Sequence, residues 1–275
     1  MLRSQLSINS ISTQEVDLET RLSGYRLAGF ENIEFALRQL KVQMEDGFNL
    51  SQIKRLLAER NLSCIGGFEN VIYCFGECEK RQANHQQIIQ NANLIAELGG
   101  SILVVGTDGP EVEVSDPLGQ MSEVVAEVAH SIRDTEVNIC IEFNWSPLVK
   151  SLRTAAEIAF RSRMPNVGVL FDSAHYYCTP TKFDQLSAQN VSLIKHVHVN
   201  DMKDKPAELC HHNRDRVLPG QGCLDLTAIF NQLEQHGYQG YFSMEMFSPR
   251  LWDLTTEDAA KEMYDSLVPF CLDSP

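Results

Sequence analysis

Short apolar runs alternate with helix-like segments along the whole chain, and that alternation is the strongest constraint on its fold. The runs are Leu6-Ser-Ile-Asn-Ser-Ile, Asn32-Ile-Glu-Phe-Ala, Leu62-Ser-Cys-Ile-Gly, Ser101-Ile-Leu-Val-Val-Gly, Asn138-Ile-Cys-Ile-Glu, Gly168-Val-Leu-Phe, Ile194-Lys-His-Val and Tyr241-Phe-Ser-Met. Between them the spacing predicts helices over 15–28, 50–59, 84–98, 118–133, 151–163 and 226–236, with a last one over 256–270. Gly29, Gly99-Gly100 and Gly237 stand where helices stop, Pro165 follows the fifth helix, and Ser51 is a candidate cap. Strict strand–helix alternation implies a parallel sheet with helices outside it. Eight such units in 275 residues favour a closed (β/α)8 barrel, which typically takes roughly 250 residues. No linker or shift in composition divides the chain, so 1–275 reads as one domain.

The last four runs each end on a metal-type side chain: Glu142, Asp172, His198 and Glu245. Alone, each has an ordinary explanation: a strand-end glutamate as a surface charge, Asp172 before Ser173 as a helix cap, a strand histidine as a hydrogen-bonded core group. Together they occupy one phase of four consecutive strands, on the rim where barrel active sites form. Buried carboxylates are costly unless something satisfies them. Three carboxylates and one imidazole suit a single divalent cation of the Mn²⁺, Mg²⁺, Co²⁺ or Zn²⁺ kind. Such a cation can polarise a carbonyl, and Glu142 and Glu245 could remove and return a proton on the adjacent carbon. That chemistry is isomerase or epimerase chemistry on a keto-sugar or keto-polyol.

The spacing of these four residues is 30, 26 and 47, so an insertion follows the seventh strand. It carries Lys203, Lys205, His211, His212, Arg214 and Arg216; the lysines and histidines read as a solvated loop. Arg216, held by the Pro219-Gly-Gln-Gly turn, is a candidate for a substrate oxygen or carboxylate. His175 is a candidate substrate contact, and Glu34, at the end of the second strand, a candidate for a substrate hydroxyl. Met44, Phe68 and Trp145 are candidate walls of the pocket.

The formal charge of −14 disfavours a nucleic-acid partner. No apolar stretch approaches the ~20 residues of a membrane span. Eight cysteines form no CxxC pair and the first residues do not read as a secretory leader, so the expectation is a cytoplasmic protein with reduced thiols. The expected partner is a small keto-sugar or keto-polyol, with a homo-oligomer allowed.

Three segments carry a family resemblance: Asn166-Val-Gly-Val-Leu-Phe-Asp-Ser-Ala-His, Asp215-Arg-Val-Leu-Pro-Gly-Gln-Gly-Cys-Leu-Asp-Leu, and Ser243-Met-Glu-Met-Phe-Ser-Pro-Arg. With them the chain resembles the xylose isomerase-like TIM barrels, and within these the inosose (2-keto-myo-inositol) isomerase branch. The resemblance implies that Glu142, Asp172, His198 and Glu245 bind one divalent metal and that Arg216 contacts substrate. Related barrels that dehydrate 3-dehydroshikimate have similar segments, which leaves a lyase as the alternative. The DNA-repair branch uses extra histidines from early strands; the third and fourth runs here end without one. After Glu34 the chain reads Phe-Ala-Leu, where the inosose isomerase pattern has an arginine two places on.

Overall fold

The computed structural model describes residues 1–272. Eight parallel strands close into a barrel in the order β1-β10-β7-β6-β5-β4-β3-β2. They are β1 (Leu6–Asn9), β2 (Asn32–Ala36), β3 (Ser63–Ile72), β4 (Ile102–Thr107), β5 (Asn138–Glu142), β6 (Val167–Asp172), β7 (Ile194–Val199) and β10 (Phe242–Met244). The short strands β8 (Asp201–Met202) and β9 (Arg216–Val217) form an antiparallel ribbon outside the barrel. The larger helices are α1 (Leu18–Ala28), α2 (Leu37–Glu45), α3 (Leu50–Glu59), α4 (Cys78–Glu97), α5 (Pro117–Ser131), α6 (Leu152–Ser162), α9 (Leu226–Gln235) and α11 (Thr256–Leu267). Three short ones, α7 (Ser173–Cys178), α8 (Ala188–Val191) and α10 (Pro249–Trp252), lie in loops. Among the described residues no helix is long and apolar enough to cross a membrane.

The period of two along each strand sends alternate residues inward. On β4–β6 the inward set is Ile102, Val104, Cys140 and Leu170, a small apolar cluster on which Phe68 and Trp145 pack. Their neighbours Leu103, Val105, Ile139, Ile141, Val169 and Phe171 face the helices and join the main core. The opposite half of the interior is polar. Glu34 of β2 reaches across to His196 and His198 of β7 and to Ser243 of β10, and all four are buried. The interior is therefore half apolar plug and half hydrogen-bonded network, which meets the requirement that buried polar groups find partners.

Several local features differ from the expectations. Helix α3 is capped by Asn49, whose side chain accepts from the Gln52 backbone N–H at 3.0 Å, so Ser51 lies inside the helix. Helix α2 was not anticipated, because it follows β2 without a loop and buries only Leu37 and Leu40. Helix α4 begins at Cys78, six residues before the apolar periodicity does, through a stretch that is largely exposed. Strand β3 continues to Ile72 through an irregularity between Phe68 and Val71.

Candidate metal centre

Glu142, Asp172 and His198 end or nearly end β5, β6 and β7, and Glu245 follows β10. They lie two residues beyond the inward-facing Cys140, Leu170, His196 and Ser243, so all four point inward at the top of the barrel. One ligand-type atom from each falls within 4.8 Å of the others, and all four residues are buried. The expected grouping is thus formed.

His198 fits a metal ligand in detail. Its Nε2 lies 3.0 and 2.9 Å from the two oxygens of Glu34, which fixes the proton there. Its Nδ1 is buried without an aligned hydrogen bond, 3.3 Å from Glu245 Oε2 and 3.9 Å from Asp172 Oδ2. Burial alone would push this imidazole down, but Glu245 and Glu34 outweigh it and hold its pKa well above the ordinary value. An imidazole held by a carboxylate at one nitrogen and facing carboxylates at the other attracts a cation to the second. The donor set and the orphaned Nδ1 together fit a divalent cation held by Glu142, Asp172, His198 and Glu245.

Arg216 enters this cluster from β9. Its Nη1 donates to Glu245 Oε2 at 2.7 Å and to the Glu245 carbonyl at 2.9 Å; Nη2 lies 3.1 Å from Asp172 Oδ2. Nε donates to the His212 carbonyl at 2.7 Å, and Phe247 lies under the guanidinium. Arg216 thus grips two carboxylates and also lines the cavity. For Asp172, burial opposes ionisation, yet Arg216 and nearby histidines bring the carboxyl down to about 2. Glu245 is also lowered, because His198 and Arg216 overcome its burial. Glu142 goes the other way: burial raises it, and His175 offsets this only in part.

His175 begins at the same hinge. Asp172 caps α7 by accepting the His175 backbone N–H at 2.9 Å, so the capping reading of Asp172 and the ligand reading hold together. The imidazole Nε2 lies 3.2 Å from Glu142 Oε1, and Nδ1 lies 2.8 Å from the Asn144 amide. Asn144, left-handed at φ 76°, was not anticipated; a glutamate followed at two residues by an asparagine is too common a pattern to single it out. Asn200 was also missed; its amide donates to Asp172 Oδ2 at 3.1 Å.

The expectation for Glu34 is corrected. It is fully buried, and both oxygens are taken by His196, His198 and Ser243, so it is closed to a substrate hydroxyl. It holds His198 instead, and burial notwithstanding, the two histidines keep it ionised. The loop's lysines are exposed as expected, and His212 is the residue that departs from the solvated reading. Lys203 and Lys205 pair with Asp215, while His212 turns inward, 5.1 Å from the His175 ring, where burial brings it down to about 4.

Above the cluster is a cavity of about 140 Å³ lined by Glu142, His175, Arg216 and Glu245 and walled by Phe68, Trp145 and Phe247. Met44 is not part of it and packs on the core. Trp145 is seated by Gly106, where an added Cβ would stand 2.2 Å from the Trp145 carbonyl and 2.8 Å from its ring. Gly106→Ala is expected to cost about 1–3 kcal/mol by overpacking and to push the indole into the cavity. Chemical denaturation and the Trp145 fluorescence maximum would report both effects; an unchanged pair would show that the close approach does not constrain Trp145.

The ribbon that carries Arg216 is tied by one side chain. Asp201, buried, accepts four backbone N–H bonds, from Met202 (2.8 Å), Gly220, Gly222 and Leu224 (3.0 Å each). At Gly222 a Cβ would lie 2.3 Å from Asp201 Oδ1, so the turn closes only with glycine there.

A family model described as xylose isomerase-like TIM barrel matches residues 25–269. The inosose isomerase of Bacillus velezensis is 32% identical over 152 residues, 54% of this chain and 54% of that one. The 3-dehydro-D-guloside 4-epimerase of Escherichia coli is 26% identical over 267 residues, 86% of this chain and 93% of that one. The chain thus spans about half the length of the inosose isomerases it matches. Among solved structures, an "IOLI protein with a binding zinc atom" superposes with a TM-score of 0.87 at 22% identity, covering 98% of this chain and 99% of that one. A D-allulose 3-epimerase from Methylomonas sp. in complex with D-allulose gives 0.75 at 17% identity, covering 96% of each.

Proposed function

The chain belongs to the xylose isomerase-like TIM barrel family, and from that membership we propose that it is a divalent-metal-dependent isomerase or epimerase of a keto-sugar or keto-polyol. The family relatives include sugar-type isomerases, epimerases and dehydratases. The observation that carries the finer reading is the joint placement of Glu142 and Glu245 in one buried cluster with Asp172 and His198, under a cavity of small-molecule size.

Asp172 and His198 are assigned to holding the cation, with Glu142 and Glu245 sharing it. When bound, the cation supplies a Lewis acid beside the substrate carbonyl. Glu245, kept anionic and aimed by Arg216, withdraws the proton from the neighbouring carbon. Glu142, with His175 Nε2 at 3.2 Å, returns a proton from its own side of the substrate, and His175 contacts a substrate hydroxyl. Phe68, Trp145 and Phe247 exclude water while the carbanion-like species exists.

Candidate ketoses and inososes incubated with the metal-loaded protein in D₂O should take up deuterium at the carbon beside the carbonyl. Chelated protein should lose this exchange and regain it when Mn²⁺ or Zn²⁺ is restored. Formation of a conjugated, ultraviolet-absorbing product without exchange would replace the isomerase reading by a dehydratase one.

Glu34 has a separate expected effect. Glu34→Gln puts an amide beside the Nε2–H of His198 and loosens the grip that orients the ring. Metal affinity should fall by about 10–100-fold. Competition against a fluorescent chelator measures it, and wild-type affinity would remove Glu34 from this role.

A further inference from the structure

A second cavity, of about 520 Å³, lies beside the first, and Phe68 is a wall of both. It is formed by Ile11 beyond β1, the start of α2 at Ala36, Arg38 and Gln39, and the flank of α1 at Arg21. Arg21 is 2% exposed, yet among the described residues it has no carboxylate partner. Its Nε has no hydrogen bond, and its Nη2 makes one long contact, 3.5 Å to the Gln14 carbonyl. A buried cation without a counter-ion is costly. Its position adds to the cost, because the first turn of a helix carries the positive end of the macrodipole. Asp17, the cap, and Glu19, in the first turn, offset the dipole at that end, but neither forms an ion pair with Arg21 among the described residues.

The start of α2 has the same polarity. Its capping position is Ala36, which offers no side-chain acceptor to the first-turn N–H groups. Arg38, in that first turn, is exposed and has no ion pair among the described residues. Uncapped helix N–H groups and two arginines thus border one cavity, in a chain whose formal charge is −14. Two carboxylates also line it. Glu69 is neutralised by Lys41, and Glu15 is exposed and screened by solvent.

We propose that this second cavity is an anion subsite, and that it takes the terminal carboxylate or phosphate of an extended keto-sugar whose carbonyl lies at the metal centre. The identity of the occupant rests on the isomerase reading above; the anion site itself does not. The shared wall at Phe68 gives the chain length: the charged end lies one aromatic ring away from the reacting carbons. Arg21 supplies the buried charge, the α2 N–H groups supply donors, and Arg38 closes over the anion from the solvent side.

Two measurements test this. The first is calorimetric titration of inorganic phosphate into the metal-free protein, wild type and Arg38→Gln. Phosphate should bind in the millimolar range or tighter, and Arg38→Gln should weaken it by about tenfold or more, the loss of one charge-assisted contact. Arg21→Gln should do the same where it folds; the surface position of Arg38 keeps the test open where it does not. No binding to the wild type, or equal binding to wild type and Arg38→Gln, would overturn the subsite. The second is deuterium uptake with a neutral ketose, its terminal phosphate ester and a keto-sugar acid. The anionic substrates should be favoured in kcat/KM, and Arg38→Gln should cut the anionic-to-neutral ratio by about tenfold through KM. Preference for the ester assigns phosphate and preference for the acid assigns carboxylate, whereas no preference overturns the substrate class. Phosphate binding without exchange on any ketose would sink the isomerase reading and leave the anion site standing.

Discussion

Replacing Glu245 by glutamine should remove turnover while leaving the barrel folded. The amide is nearly isosteric, and its oxygen can still accept from Arg216 Nη1, which holds the carboxylate at 2.7 Å. It lacks the charge that binds a cation and the lone-pair basicity that removes a proton. The expected loss in deuterium exchange is about 10²–10⁴-fold, the usual contribution of a positioned base. Near-ultraviolet circular dichroism should stay that of the wild type. Exchange within a factor of about ten of wild type would transfer the role of base to Glu142.

Asp172→Ala should be the change near the site with the largest effect on stability. It removes the partner of Arg216 Nη2 at 3.1 Å, the cap on the His175 N–H at 2.9 Å and the acceptor for Asn200 at 3.1 Å. Relief of repulsion from Glu245 acts the other way, but Arg216 is the stronger influence on Asp172. Breaking a buried pair typically costs about 3–5 kcal/mol, and a loss of that order is expected for the metal-free protein in urea unfolding. Asp172→Asn keeps an oxygen for the cap and should lose less, and the gap between the two variants reads the charge. A loss under about 1 kcal/mol for the alanine variant would mean that Arg216 is satisfied without Asp172.

The barrel and the gathering of its four strand-end residues were legible for one reason: both are properties of a single strand read by itself. Period-two alternation gives the inward phase, and Glu142, Asp172, His198 and Glu245 each sit at the end of an inward-facing row. Glu34 was misassigned because its role depends on partners elsewhere. His196 and His198 are 162 and 164 residues away, and no local pattern records a contact across a barrel. The same holds for Arg216, whose turn was recognised but whose grip on Glu245, 29 residues on, was not. Helix α2 escaped because a helix that buries two side chains leaves little periodicity to read. Asn144 owes its role to a left-handed backbone, which its neighbours in sequence do not advertise.

The four hydrogen bonds that converge on Asp201 have a consequence for how such barrels diversify. Residues 201–224 leave the wall and return to it through a clasp made by one carboxylate and the main chain. A clasp of that kind depends little on the side chains it encloses, apart from Gly222, which leaves no room for a Cβ, and Gly220, left-handed at φ 81°. The segment behaves as a cartridge: its exposed side chains can be rewritten, provided that Arg216 and the His212 carbonyl that steadies its Nε at 2.7 Å are kept. An arch grafted from a family relative, with its exposed residues exchanged, would then alter one side of the cavity and leave the eight-stranded scaffold untouched.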